Sequence, residues 1–248
     1  MGFLPKYQGI NMRFYRNWCK DKDLISFNVT VKESDLYIRA EKNLEKETLE
    51  LLLRYRSILE EYIKQNPAFR DSLEPLSVGR HVPLIVKEMI EASRKTGVGP
   101  MASVAGAIAE FVGKGLLNYS TEVIVENGGD IFIRSLKPRN VGIYAGNSAF
   151  TRKVALEIDP SNTPLGVCTS SGTVGHSLSF GKADAVVVIS HSTSLADASA
   201  TAIGNLVKDE SNIPEGIEFA KKIEGINGVI IIKNDKMGIW GDIKISKP

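Results

Sequence analysis

The alternation of apolar and polar residues sets the first element. Ser26 to Arg39 reads SFNVTV, then KESD, then LYIRA, a period of two on either side of a polar turn, which predicts two paired strands. From Glu45 to Lys64 the period changes. Leu49, Leu52, Leu53, Tyr55, Ile58, Leu59, Tyr62 and Ile63 recur at helical spacing, Glu and Lys fill the other face, and Asn66-Pro67 supplies the stop. Pro83 opens a second helix to about Arg94, ended by Thr96-Gly97. A third, roughly Met101 to Leu117, rests on Ala102, Ala105, Gly106, Ala107 and Ala109, small enough for close approach, which predicts a central helix.

Strand patterns then take over, at Thr121–Glu126, Ile131–Arg134, Val141–Tyr144, Val154–Ile158 and Ala183–Ser190. Ser194–Val207 and Glu215–Ile223 return to helical spacing, and Gly228–Lys233 with Ile239–Ile245 form a closing hairpin around Asn234 to Gly238. Strands and helices do not alternate strictly, so the pattern predicts an α+β fold, a largely antiparallel sheet with helices packed on it, rather than a doubly wound one. No linker rich in Pro, Ser or charge interrupts the chain. One domain over residues 1–248 is expected, with sub-halves of roughly 1–120 and 121–248.

Composition narrows the partners. Basic and acidic side chains number 31 and 29, a formal charge of +2, which removes the electrostatic argument for nucleic acid or an anionic membrane. Lys6 to Lys22 mixes basic residues with Tyr7, Phe14, Tyr15 and Trp18, but no basic run follows, and it reads as an edge hairpin. No apolar run reaches the roughly 18 residues of a membrane span, and Met1 to Arg16 lacks an apolar targeting core, so a cytoplasmic protein is expected. Two cysteines, Cys19 and Cys168, and three histidines argue against a zinc site or disulfide framework. None of the 22 glycines lies between Gly9 and Gly79, whereas Gly97 to Gly181 is dense in them, so special backbone geometry is expected there.

Four segments in that region carry candidate chemistry. In Glu126-Asn127-Gly128-Gly129-Asp130, two glycines can expose backbone N–H groups while Asn127 and Asp130 supply oxygens, and the same residues form a strong hairpin signal. Cys168 to Ser177 places Thr169, Ser170, Ser171, Gly172 and Thr173 before His176, a set able to surround an anion and move a proton, or a polar connection between strands. Asp197 and Thr201 stand four apart on one helix face, two hard oxygen ligands suited to Mg²⁺. Ser194 with Asp197 also has capping-box spacing, under which the aspartate would secure its own helix start. Gly97 to Gly106 could turn helix N–H groups toward phosphate or serve close packing. Arg80-His81 and Asp184 read as satisfied buried polar residues.

The segments ENGGD, TSSGTVGHSLSFGKADA and LADASATAIGN, preceded by VGPMASVAGAIAE, resemble a cytosolic branch of the ApbE-like superfamily, which includes flavin transferases once described as thiamine-biosynthesis lipoproteins. The resemblance runs in order from about Pro75 to Val207 and implies an α+β fold related to the T-fold, with a cleft between two halves. It also implies a Mg²⁺ site on Asp197 and Thr201 with the Ala105 backbone carbonyl as a further ligand. Glu126 to Asp130 would match the family's turn that faces a flavin nucleotide, FAD or FMN, and Thr169 to Gly172 would match the family's T-S-G segment. Two family features are absent: Ser103 to Ala107 lacks the lysine of the family's helix start, and no D-P-x-T-G segment follows His176. Both departures point away from flavin transfer to a protein threonine.

The expected function is a Mg²⁺-dependent, transferase-like enzyme that acts on or binds an anionic small molecule, phosphorylated or nucleotide-like. Asp197, Thr201 and Ala105 would hold the metal, Asn127 to Asp130 and Thr169 to Thr173 the ligand, and His176 or Asp130 the proton. Two alternatives stay open. The resemblance links the branch to sulfide assimilation into homocysteine in anaerobes and methanogens, where Cys168 would be the residue to suspect as a thiolate. Or the chain is a ligand-binding module that keeps the cleft without the chemistry. A homo-oligomer is compatible with the sequence.

Overall fold

The computed structural model describes residues 16, 23–79, 81–172 and 180–247. Its frame is one sheet of eight strands, every neighbouring pair antiparallel, in the order β1 (Ile25–Val31), β2 (Ser34–Ala40), β3 (Val123–Asn127), β4 (Asp130–Arg134), β7 (Leu165–Ser170), β8 (Ala185–Ser190), β9 (Ile226–Lys233), β10 (Lys236–Gly241). Between β4 and β7 the chain leaves to form β5 (Arg139–Gly142) and β6 (Ala155–Ile158), which pair with the C-terminal β11 (Lys244–Ser246) in a second sheet. The plan repeats itself. Strands β1–β2, helices α1 (Glu45–Gln65), α2 (Ala68–Asp71), α3 (Leu84–Thr96) and α4 (Val104–Leu116), then β3–β4 make one unit. Strands β7–β8, helices α5 (Thr193–Leu206) and α6 (Ile213–Ala220), then β9–β10 make the other.

The period-two pattern explains where the layers sit. On one face Leu36, Ile38, Val123, Val125 and Phe132 pack with α1, α3 and α4, and Cys168, Val186, Val188, Val229 and Ile231 pack with α5 and α6. The intervening residues Ile124, Ile133, Val167, Val187 and Ile230 face the other way, onto Ile143, Leu156 and Ile158 of the second sheet and its surroundings. The central strands are therefore apolar on both faces, and β8 is buried throughout its length. Helix α4 is the central helix its small residues predict. Gly113 is required there, because a Cβ would lie 2.2 Å from the Phe132 ring.

The α+β class and largely antiparallel sheet stand as the pattern predicted. The element order is corrected in three places: β7 occupies residues expected as loop, α2 is added, and β11 separates from β10 to join the second sheet. Helix α4 also starts later than expected, after a 3₁₀ turn at Pro100–Ser103. The Lys6–Lys22 hairpin lies outside the described residues except for Arg16. Among the described residues no helix is long and apolar enough to cross a membrane.

Candidate functional site

Helices α4 and α5 meet through two exchanged caps. The Gly106 N–H donates to Asp197 Oδ2 at 2.8 Å, and Asp197 also accepts from the Ala105 amide. In return, the Thr193 and Ser194 amides donate to Glu110 Oε2 at 2.8 and 3.1 Å. Each helix thus satisfies first-turn N–H groups of the other, while Ser103, before α4, makes no side-chain cap bond. The approach demands a glycine at position 106, where a Cβ would stand 2.6 Å from the Thr193 carbonyl oxygen and 2.8 Å from Asp197 Cβ.

This geometry overturns the capping-box reading of Ser194 and Asp197. Helix α5 is capped by Ser192, whose Oγ accepts from the Leu195 N–H at 3.2 Å, and Asp197 reaches across to α4 instead. It also corrects the phosphate reading of Gly97 to Gly106. Asp197 takes the amides at the start of α4, and Gly99 serves packing, since a Cβ there would overlap the Ser72 carbonyl at 1.9 Å.

The β3–β4 turn brings a second carboxylate to the same place. Gly128 and Gly129 have φ of 69° and 109°, and Asn127 pairs with Asp130 across them, the two-residue hairpin predicted by Asn-Gly. Its flanks point inward. Asn127 Nδ2 donates to the Ala105 carbonyl at 3.1 Å, and Glu126, buried, accepts from the Gly129 amide at 3.0 Å and from Arg16 Nε at 2.5 Å. Asp130 is 7% exposed, stands near the Thr169 amide and the Cys168 thiol, and keeps Oδ1 without a hydrogen-bond partner.

Burial dominates the electrostatics. It pushes the Asp130 carboxyl up to about 7, with the Glu126 charge adding to it and the Cys168 and Thr169 donors opposing it. Asp197 is raised well above the usual carboxylate range by burial and then by Asp130, against the Gly106 and Ala105 amides. Cys168 rises too, through burial and the two aspartates, with its Sγ 3.4 Å from the Thr193 carbonyl. It is a buried neutral thiol rather than the thiolate considered for it.

The structure therefore gathers Ala105, Asn127, Asp130, Thr169 and Asp197 around the α4–α5 crossing, with Thr201 partly exposed one helical turn beyond Asp197. Ser170, buried on β7, stands against Gly204, where a Cβ would lie 3.4 Å from its Oγ. Gly128 is exposed at the tip of its turn, and Ser171 follows the end of β7. The Gly172 amide is tied to the Ala183 carbonyl at 2.9 Å. Thr173 and His176 lie outside the described residues, as does Arg80. His81 is exposed, not a buried partner, whereas Asp184 is buried and accepts from the Asn234 amide at 2.6 Å.

Among the described residues no three His, Cys, Asp or Glu side chains converge as a metal-ligand set. A site here would instead combine the Asp197 carboxylate, the Thr201 hydroxyl and the Ala105 carbonyl, hard oxygens of the kind Mg²⁺ takes. The surroundings fit a cation. Asp130 Oδ1 is buried and unpartnered, the two aspartates repel each other, and no ion pair reaches either among the described residues.

A family model described as "AbpE bacteria" matches residues 16–220. The chain belongs to this ApbE-like family. UPF0280 proteins are similar to it: that of Methanococcus aeolicus is 43% identical over 230 residues, 90% of each chain. That of Methanocaldococcus jannaschii is 43% identical over 221 residues, 87% of this chain and 90% of the relative. Among solved structures, the flavin transferase ApbE from Vibrio cholerae aligns with a TM-score of 0.58 at 15% identity, over 88% of this chain and 96% of that one. The Pseudomonas stutzeri flavinyl transferase ApbE, in its apo form, gives 0.56 at 14%, over 88% and 94%. At that identity the likeness is one of fold.

The exchanged caps also give a place to Glu110, to which the sequence pattern assigned no role. A charge inside the apolar run from Ala102 to Val112 was the signal, because a buried glutamate needs donors of its own.

Proposed function

We propose that this ApbE-like chain is a Mg²⁺-dependent, transferase-like enzyme that acts on an anionic small molecule, phosphorylated or nucleotide-like, at the α4–α5 crossing. The observation that carries the reading is the unpartnered, buried Asp130 Oδ1 beside Asp197, a pair of acids that a cation would relieve. Mg²⁺, when bound, would offset the charge of the ligand and polarise one of its oxygens. Asp197, Thr201 and the Ala105 carbonyl would hold it, with Asn127 orienting that carbonyl through its 3.1 Å hydrogen bond. Gly128 and Gly129 leave the hairpin tip open to the ligand, and Thr169 to Gly172 would supply donors, with Thr173, outside the described residues, a further candidate. Asp130, raised to about 7, can hold or release a proton near neutral pH, and His176 is the second candidate for that role.

The departures at Ser103 to Ala107 favour an activity other than flavin transfer, with FAD and FMN as ligands to be tested beside simpler nucleotides. A second reading, a binding module without chemistry, is favoured by one observation: Asp197 has structural work as the cap of α4, which alone would retain it. Thermal melting of the purified chain with Mg²⁺, FAD, FMN and nucleotides, in wild type and Asp197→Ala, tests the metal site. We expect Mg²⁺ with at least one nucleotide to raise Tm in the wild type only. No shift with any combination, and identical behaviour of the variant, would refute it. Turnover assays with phosphorylated substrates, and with sulfide and candidate acceptors, separate enzyme from binder.

A further inference from the structure

We infer that Glu110 is a positioning residue for Asp197, setting the rotation of α5 so that the aspartate meets the start of α4. The inference rests on the proposed cation site, but its geometry is independent of it. Glu110 is 3% exposed within an apolar helix, where an isolated carboxylate would be costly. Its two oxygens divide the work. Oε2 accepts from the Thr193 amide at 2.8 Å, the Ser194 amide at 3.1 Å and the Ser194 hydroxyl at 3.5 Å, and Oε1 pairs with Lys114 Nζ at 2.6 Å.

These contacts fix the first turn of α5. Asp197 follows Thr193 by four residues, about one turn later on the same face. A rotation of the first turn would therefore carry Asp197 away from the Gly106 amide. The fit is close on both sides. Thr193 presses on Gly166, where a Cβ would lie 2.5 Å from Thr193 Cα, and Gly106 leaves no room for a side chain. Backbone packing brings the helices together, and the Glu110 carboxylate selects their phase. Lys114, on the more exposed side, pairs with Oε1, while Oε2 faces the N-terminus of α5.

Outer-shell partners of a metal ligand typically change affinity by about 10- to 100-fold when removed. We would titrate the purified full-length chain with Mn²⁺, following free ion by electron paramagnetic resonance, and measure exchange of the Gly106 amide by NMR. The variants are Glu110→Ala, Glu110→Gln, which keeps an acceptor oxygen, Asp197→Ala, and Leu52→Ala, a buried α1 residue outside the site that lowers stability without touching the crossing. The expected result is loss of Mn²⁺ binding in Asp197→Ala and about 10-fold or greater weakening in Glu110→Ala. Glu110→Gln should recover part of that loss, and Leu52→Ala should leave affinity unchanged. The Gly106 amide should exchange faster in Glu110→Ala than in Leu52→Ala.

Wild-type affinity in both Glu110 variants, with a protected Gly106 amide, overturns the positioning role while leaving the cation site in place. A wild type that binds no Mn²⁺ overturns the cation site, and Gly106 exchange then decides the positioning role alone. Should Glu110→Ala not fold, Glu110→Gln carries both measurements, with a smaller loss of affinity and faster Gly106 exchange expected, and wild-type values in both overturning the role.

Discussion

Two buried acidic clusters in this molecule have opposite electrostatics. Glu122, beside β3, accepts from Arg139 Nη2 at 2.8 Å, Ser135 Oγ at 2.5 Å and the Leu136 amide at 2.9 Å. Arg139 also reaches Asp23 at 2.8 Å, and Lys137 joins it at 2.7 Å. Burial raises the Glu122 pKa, but Ser135, Arg139 and the Leu136 amide outweigh it, and Glu122 and Asp23 both lie below the usual carboxylate range. Asp130 is also buried and Asp197 partly so, yet both are raised, first by desolvation and then by a neighbouring acid, with no ion pair to either among the described residues. The first cluster is complete as it stands and joins β3 to the excursion that starts at Ser135. The second is complete only if something positive arrives or a proton is retained.

Removing Arg139 should break the balanced cluster with the largest effect. Arg139→Ala leaves Glu122 buried against no cation, and a loss of about 3–5 kcal/mol is expected by urea unfolding. Next in size is the pH response of the unbalanced pair. A carboxyl raised in the folded state binds more protons than in the unfolded chain, so stability falls as pH climbs from the ordinary Asp range to about 7. Asp130→Asn should remove the Asp130 share of that decline and be more stable than wild type at pH 8 without divalent ions, by about 2–4 kcal/mol. The Glu122 cluster has the opposite sign: its lowered pKa values give stability that is present near neutrality and lost as pH falls through the acid range. Melts from pH 3 to 8 of wild type and both variants separate the two contributions, and a flat wild-type curve between pH 4 and 7 would contradict the assignment.

A smaller effect should come from the cation itself. At about a hundredfold excess over its Kd, Mg²⁺ should add about 2.7 kcal/mol at pH 8, and Asp197→Ala should show none of it. Smallest is the turn that delivers Asp130. Gly128 has open space where a Cβ would stand but a φ of 69°, so Gly128→Ala should cost about 1 kcal/mol through the backbone alone. Gly128→Asn, which tolerates that region, should cost less. Equal stability of all three proteins would mean that the turn relaxes.

The strands and helices with clear period were legible in the sequence, because each period maps onto a single buried face. Strand β7 was not. Leu165 to Ser170 is short, and its polar end merges into the hydroxyl-rich run after it, so local pattern gave no boundary. Pairing with β4 and β8, contacts distant in sequence, makes it a strand. Asp197 and Thr201 were legible as a pair through helical spacing, but the spacing could not say which helix the aspartate serves. Ser194 three residues before Asp197 looked like a local cap, and only the close approach at Gly106 shows the bond to α4. Glu110 was visible as a charge in an apolar helix, yet the amides it caps lie more than 80 residues away.

The ladder between β4 and β7 has three residue pairs, Ile131 with Val167, Phe132 with Gly166 and Ile133 with Leu165. It is the seam between the two repeated units, and the two aspartates stand on opposite sides of it, Asp130 on β4 and Asp197 on α5. The caps exchanged by α4 and α5 hold the two sides together. A cation taken up between them would act as a stitch, so that filling the site also fastens one half of the protein to the other.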